Sequence, residues 1–207
     1  MSRNLVAVFD LGGVFIDWNP AYLFEKLFDN EEEARWFHKH VCSLEWNLEF
    51  DAGKRFENGI AELIPRHPRY WKEIQAYDQR WEEMTRGLYQ GTIDIQEELI
   101  AANISTYAIT NFSYEKWVSM LEKWDFLSNF DGVVVSGNEK IVKPDPRIYK
   151  IFCDRFGQRP EDCVFIDDNE VNIYSARAFG MTAIHFASPE ALRTDLINLG
   201  FPLKKAD

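Results

Sequence analysis

Several apolar runs in this chain stop at residues that can do chemistry. Leu5 to Phe9 ends at Asp10, followed by Leu11, Gly12 and Gly13; Ser105 to Ile109 leads into Thr110 and Asn111; Cys163 to Ile166 leads into Asp167 and Asp168. Phe130 to Val135 leads into Ser136 and Gly137, with Lys143 farther along in IVKPDP. Carboxylates from different segments can hold one hard divalent cation, and Mg2+ prefers oxygen ligands while keeping several waters. An aspartate that attacks phosphorus must first be relieved of its repulsion from an anionic phosphate, which a metal and a cation such as Lys143 supply. The Thr110 hydroxyl and the backbone amides of Asn111 and Phe112 can donate to the oxygens of a transferring group. Each residue alone has a plainer reading: a cap, a solvated turn, a surface lysine. Their order along the chain carries the information.

These residues need a scaffold that brings them together. From residue 91 onward strand-like and helix-like segments alternate: Ile93–Ala102 helical, Ser105–Ile109 strand, Tyr114–Trp124 helical, Phe130–Val135 strand, Arg147–Phe156 helical, Cys163–Ile166 strand, Val171–Phe179 helical, Thr182–Phe186 strand and Pro189–Leu199 helical. Alternation of this kind implies a parallel sheet covered on both faces, with right-handed crossovers and ligands beyond the carboxyl ends of the strands. The stretch from Asn19 to about Met84 is poor in strand signals. Asn19–Phe28, EEEARWFHKHV, DAGKRFENGIAELI and RYWKEIQAYDQRWEEM all read as amphipathic helices, and together they form a helical insertion after the first strand. Its many aromatics read as the packing of a small lobe, and its histidines, His38, His40 and His67, as surface or core-edge residues.

The 207 residues carry a formal net charge of −11, which opposes non-specific binding to nucleic acid. A local cluster can still bind an anion against that field. Three widely spaced cysteines make neither a disulfide framework nor a zinc site, which points to a reducing, cytoplasmic setting. MSRNLVAVFD has no leader pattern, no run is long and apolar enough to span a membrane, and the polar tail LKKAD says nothing of partners. Monomer and homodimer both remain open.

With those stretches in hand, the sequence resembles the haloacid dehalogenase-like hydrolase superfamily over essentially its whole length. FDLGG, YAITN, KPDPRIY and VFIDDNEVNI are similar to its four motifs, in the family's order. The resemblance implies an α/β fold: a Rossmann-like parallel sheet with helices on both faces and a small helical cap. Residues 1–17 and 85–207 would form the core, and residues 18–84 the cap that closes over the site and selects substrate. It further implies that Asp10 is the nucleophile, that Thr110, Asn111 and Lys143 serve the phosphate, and that Asp10, Gly12 through its carbonyl, Asp168 and the nearby Asp167 hold Mg2+. Gly13 and Trp18 beside the nucleophile, and Trp46 and Asn47 between helices of the cap, are the expected substrate contacts.

One departure decides the chemistry. Family phosphatases usually carry a second aspartate two residues after the nucleophile, as general acid and then base; here that residue is Gly12. Losing a positioned acid typically costs 10²- to 10⁴-fold in rate. The preferred reading is a Mg2+-dependent hydrolase of small phosphorylated metabolites, similar to the branch with bacterial glucose-1-phosphate phosphatases, because an anomeric oxygen leaves readily. A metal-independent L-2-haloacid dehalogenase is the alternative, although such enzymes usually replace the acidic doublet with Ser and Asn. The third reading is a pseudo-enzyme that binds a phosphorylated ligand without turning it over.

Overall fold

The computed structural model describes residues 5–204. Residues 1–4, at the start of the stretch expected to carry no leader pattern, and residues 205–207, at the end of the polar tail, lie outside the described residues. Along the chain come β1 (Val6–Phe9), β2 (Ile16–Trp18), α1 (Ala21–Leu27), α2 (Glu31–His40), α3 (Leu44–Asp51), α4 (Phe56–Leu63), α5 (Trp71–Gln79), β3 (Thr85–Leu88), α6 (Gln90–Ala101), β4 (Thr106–Thr110) and α7 (Tyr114–Lys123). Then follow β5 (Gly132–Val135), the single turn α8 (Ser136–Glu139), α9 (Pro146–Phe156), β6 (Cys163–Asp167), α10 (Glu170–Phe179), β7 (Thr182–His185) and α11 (Pro189–Asn198).

β1, β4, β5, β6 and β7 form a parallel sheet in the order β5-β4-β1-β6-β7, so the fold is the expected α/β one. β1 shows why the strands read as unbroken apolar runs. All four of its residues are buried, with Ala7 and Phe9 in one apolar cluster and Val6 and Val8 in the other, so each face of the sheet has its own helical cover. α9 and α10 pack on one face. α6 and α11 pack against each other over the opposite face, where the apolar cluster continues without a break into the helical insertion through Phe24, Phe37, Phe50 and Tyr77.

Two features of the insertion differ from expectation. First, it leaves and rejoins the sheet through an antiparallel ribbon of β2 and β3, pairing Ile16 with Leu88 and Asp17 with Gly87. Such short strands carry no readable alternation. Second, LEWNLEFD is not a connection between helices but α3 itself, so Trp46 and Asn47 are helical. Its apolar residues recur every second position, a strand-like period, yet Ser43 caps its N-terminus by accepting from the Trp46 N–H and it packs as a helix. As a consequence α3 buries Trp46, Asn47, Phe50 and Asp51 while leaving Leu44 and Leu48 exposed. DAGKRFENGIAELI likewise becomes helical only at Phe56, and RYWKEIQAYDQRWEEM passes from α5 into a 3-10 turn. Among the described residues no helix is long and apolar enough to cross a membrane.

Candidate active site

The strand order places β1 between β4 and β6, so their carboxyl ends lie side by side. Chain direction across the sheet reverses at this point, and a crevice opens there. Phe9 pairs with Ile166, and the Asp10 N–H donates to the Ile166 carbonyl at 2.7 Å, which brings Asp10 beside Asp167. On the other flank Phe9 pairs with Ala108, two residues before Thr110.

At the centre lies Lys143, its side chain wholly buried. Its Nζ is 2.8 Å from Asp10 Oδ2 and 2.7 Å from Asp167 Oδ2. An uncompensated ammonium could not be held there; the two carboxylates make the burial tolerable. Burial pulls the lysine's pKa down, but Asp10 and Asp167 more than reverse this and it ends above its usual value. Burial pushes the Asp10 carboxyl up, Lys143 pulls it back, and the Asp167 and Asp168 charges push it up again. The other Asp10 oxygen accepts from the Leu11 N–H at 2.7 Å.

Asp167 is fully buried, and both its oxygens are occupied. Oδ2 accepts from Lys143 and from the Asn172 amide at 3.0 Å; Oδ1 accepts from the same amide at 3.0 Å and from the Asn169 N–H at 2.8 Å. Asp10, Asp167 and Asp168 together bring carboxylate oxygens within 4.8 Å of one another. Three carboxylates face one ammonium, so the cluster carries excess negative charge. A hard divalent cation fits that donor set, with Asp10 and Asp168 as the carboxylates that have capacity left.

The two neighbouring glycines are not equivalent. Gly13 has φ +72°, and a Cβ there would lie 2.3 Å from Asp168 Oδ2, so the bare backbone makes room for that carboxylate. A Cβ on Gly12 would meet nothing within 4 Å.

Thr110 is 1% exposed, and its hydroxyl has no hydrogen-bond partner among the described residues, although it does not line the cleft. The Asn111 side chain clamps the lysine loop: its amide donates to the Lys143 carbonyl at 3.1 Å and its oxygen accepts from the Lys143 N–H at 2.8 Å. The expectation that the Phe112 amide would serve a phosphate is corrected, because that N–H donates to Ser136 Oγ at 3.0 Å.

A cleft of about 480 Å3 opens above the cluster, lined by Asp10, Gly12, Gly13, Trp18, Asp51, Asn111, Lys143 and Asp168 among others. A smaller cavity of about 60 Å3 shares Gly12, Trp18, Asp51 and Asn111 with it and is lined also by Asn47 and Trp81. Gly13, Trp18 and Asn47 therefore do face these spaces. Trp46 lines neither cavity; its ring packs edge-on against Phe50 and Tyr77, at centroid distances of 4.6 and 5.0 Å.

Sequence reasoning passed over Asp51, Asn169 and Asn172, and read His38 as a surface or core-edge residue; all four line the cleft. His38 has a buried Nε2 with no hydrogen-bond partner among the described residues, and burial lowers its pKa. For Asp51 a signal was present: an acid as the last residue of a helix opposes the helix dipole and calls for a reason.

Known proteins bear on this geometry. The chain is 25% identical over 197 residues to a sesquiterpene phosphatase of Aspergillus oryzae, covering 93% of this chain and 95% of that one. It is 30% identical over 96 residues to a (S)-2-haloacid dehalogenase of a Pseudomonas strain, covering only 46% of this chain and 42% of the dehalogenase. A HAD-family enzyme of Bacteroides thetaiotaomicron, solved with magnesium and inorganic phosphate, shares its fold, with a TM-score of 0.69 at 21% identity over 89% of this chain and 94% of that one. The family model of the haloacid dehalogenase-like hydrolases matches residues 5–180, and the chain belongs to that family of hydrolases.

Proposed function

We propose that this hydrolase is a Mg2+-dependent phosphatase of small phosphate monoesters, with Asp10 as the nucleophile. The supporting observation is the charge imbalance of the cluster: Asp10, Asp167 and Asp168 converge around Lys143 alone. Mg2+, held by Asp10, Asp168 and the Gly12 carbonyl, would neutralise that excess and the phosphate charge. Lys143 holds an Asp10 oxygen in place, Asp167 fixes Lys143, and Asn111 anchors the lysine loop. The buried Thr110 hydroxyl is kept for a phosphate oxygen. Residues 18–84 act as the cap, with Trp18 and Asn47 nearest the substrate. The full-length similarity to a phosphatase supports the same reading.

A haloacid dehalogenase reading meets a physical objection. Its substrate is itself a carboxylate, and here it would approach three aspartates whose lysine is already engaged. A panel of phosphate esters, including glucose 1-phosphate, assayed with and without Mg2+ tests the proposal. Phosphate release that requires Mg2+ and disappears in Asp10→Asn is expected. Chloride release from 2-chloropropionate without phosphatase activity would replace it with the dehalogenase reading, and ester binding without turnover with the pseudo-enzyme.

A further inference from the structure

With Gly12 in the usual acid position, a phosphatase of this design lacks a proton donor for its leaving group. Around the cleft, three aspartates are candidates: Asp10 and Asp168 belong to the cation cluster, and Asp51 does not. Asp51 comes from the other side, at the end of α3, and lines both the cleft and the inner cavity beside Gly12. In the inner cavity it is the one carboxylate among the described lining residues. We propose that Asp51 supplies the general acid and base that Gly12 cannot, a role that rests on the phosphatase reading above.

Four independent features fit this role. α3 carries Asn47 and Asp51 inward on the same side as the packed rings of Trp46 and Phe50, while Leu44 and Leu48 stay exposed. A relay fixes the carboxyl: the Tyr77 hydroxyl donates to Asn47 Oδ1 at 2.9 Å, and the Asn47 amide donates to Asp51 Oδ2 at 2.9 Å. The Asn47 amide holds Oδ2, and the Ser113 peptide N–H also bears on the carboxyl. The backbone is anchored too, because Ser136 Oγ donates to the Asp51 carbonyl at 2.6 Å and holds the end of α3 on the sheet. Burial pushes the Asp51 carboxyl up to about 7, against the pull of Lys143, the Ser113 peptide N–H and the Asn47 amide, which suits a group that must give and take a proton near neutrality.

The chemistry balances. An Asp10 oxygen attacks phosphorus, the bond from phosphorus to the ester oxygen breaks, and that oxygen leaves with the electron pair and takes the proton of the Asp51 carboxylic acid. The Asp51 carboxylate then removes a proton from water as the water oxygen attacks the aspartyl phosphate. The bond from phosphorus to Asp10 breaks, Asp10 regains its electron pair, and inorganic phosphate leaves with Asp51 protonated again.

The test compares wild type and Asp51→Asn on an alkyl phosphate and on p-nitrophenyl phosphate, whose phenolate leaves without a proton. For the alkyl ester, kcat should fall by roughly 10²- to 10⁴-fold. For the aryl ester the first step should survive while hydrolysis of the aspartyl phosphate stalls, giving a burst of about one equivalent of nitrophenolate and a trapped phosphoenzyme. A structural role would lower both esters alike with no burst, and that result, or near-normal turnover of the alkyl ester, overturns the proposal. Because a Cβ on Gly12 would meet nothing within 4 Å, Gly12→Asp in the Asp51→Asn background should restore part of the lost alkyl-ester turnover; if the double variant stays at the single variant's rate while folded by thermal melting, the proposal fails. A wild type that hydrolyses neither ester overturns the phosphatase reading itself, and the Asp51 role with it.

Discussion

Asp167 and Asp51 show how differently one side-chain type behaves in two settings. Asp167 has its oxygens filled by an ammonium, an amide and a peptide N–H, and it orients Lys143. Asp51 has a single side-chain donor, Asn47, and a pKa of about 7 against an ordinary 3.8. The shift has a thermodynamic consequence. Because the folded state holds the proton more tightly than the unfolded chain, stability from this group is full below about pH 4 and declines as pH rises toward about 7. Asp51→Asn cannot ionise and escapes that decline. Urea unfolding should therefore show the variant gaining on wild type between about pH 5 and about pH 8, by on the order of 2 kcal/mol. An equal difference at both pH values would show that Asp51 is not perturbed. Such a gain accompanied by lost turnover is the usual relation between a strained site and stability.

Among the elements, the insertion is where expectation and structure part. The core strands were legible because burial on both faces leaves unbroken apolar runs, and the positions of Asp10, Thr110 and Asp167 at the strand ends were legible because each closes such a run. α3 was not, since Leu44, Trp46, Leu48 and Phe50 alternate like a strand, and only packing against Tyr77 and Phe56 settles it as a helix. The β2–β3 ribbon was too short to leave a pattern, and Phe112's donation to Ser136 joins residues 24 positions apart. The position of α3 depends on Gly59 in α4, where a Cβ would come within 2.4 Å of the Phe50 ring, itself stacked on Phe56 at 4.1 Å. Helix propensity alone would make Gly59→Ala stabilising by about 1 kcal/mol. The overpacking should win, lowering stability by about 1–3 kcal/mol and displacing the residue before Asp51. Thermal melting decides the sign: a raised midpoint would mean that α4 moves aside freely.

On the scale of the whole molecule, the insertion and the sheet are held together by more than the ribbon. Lys116 pairs with Asp78, Lys123 with Glu82 at 2.6 Å, the Phe56 N–H donates to Glu115 at 2.8 Å, and one apolar cluster runs through both parts. The surface ion pairs contribute little each, so the shared apolar packing and the buried link from Ser136 to Asp51 dominate the closed arrangement. Beneath it three carboxylates converge around one ammonium. On the proposed reading, adding Mg2+ to chelator-treated protein should raise the melting temperature, the stability gained being about 2.7 kcal/mol at a hundredfold excess over its dissociation constant. Ca2+ or no ion at all giving the same midpoint as Mg2+ would show that the acidic cluster does not select this metal.

The open space beside Gly12 has a meaning for how such a site can change over generations. A single base change turns any glycine codon into one for aspartate or glutamate, and here the new Cβ would meet nothing within 4 Å. At Gly13 the same genetic step drives a side chain into Asp168. Of two adjacent codons, one is therefore open to acquiring an acid and the other is closed. A lineage that took the open step could move proton transfer from α3 to the loop after β1. The insertion would then be free to diverge in sequence and accept new substrates without losing turnover.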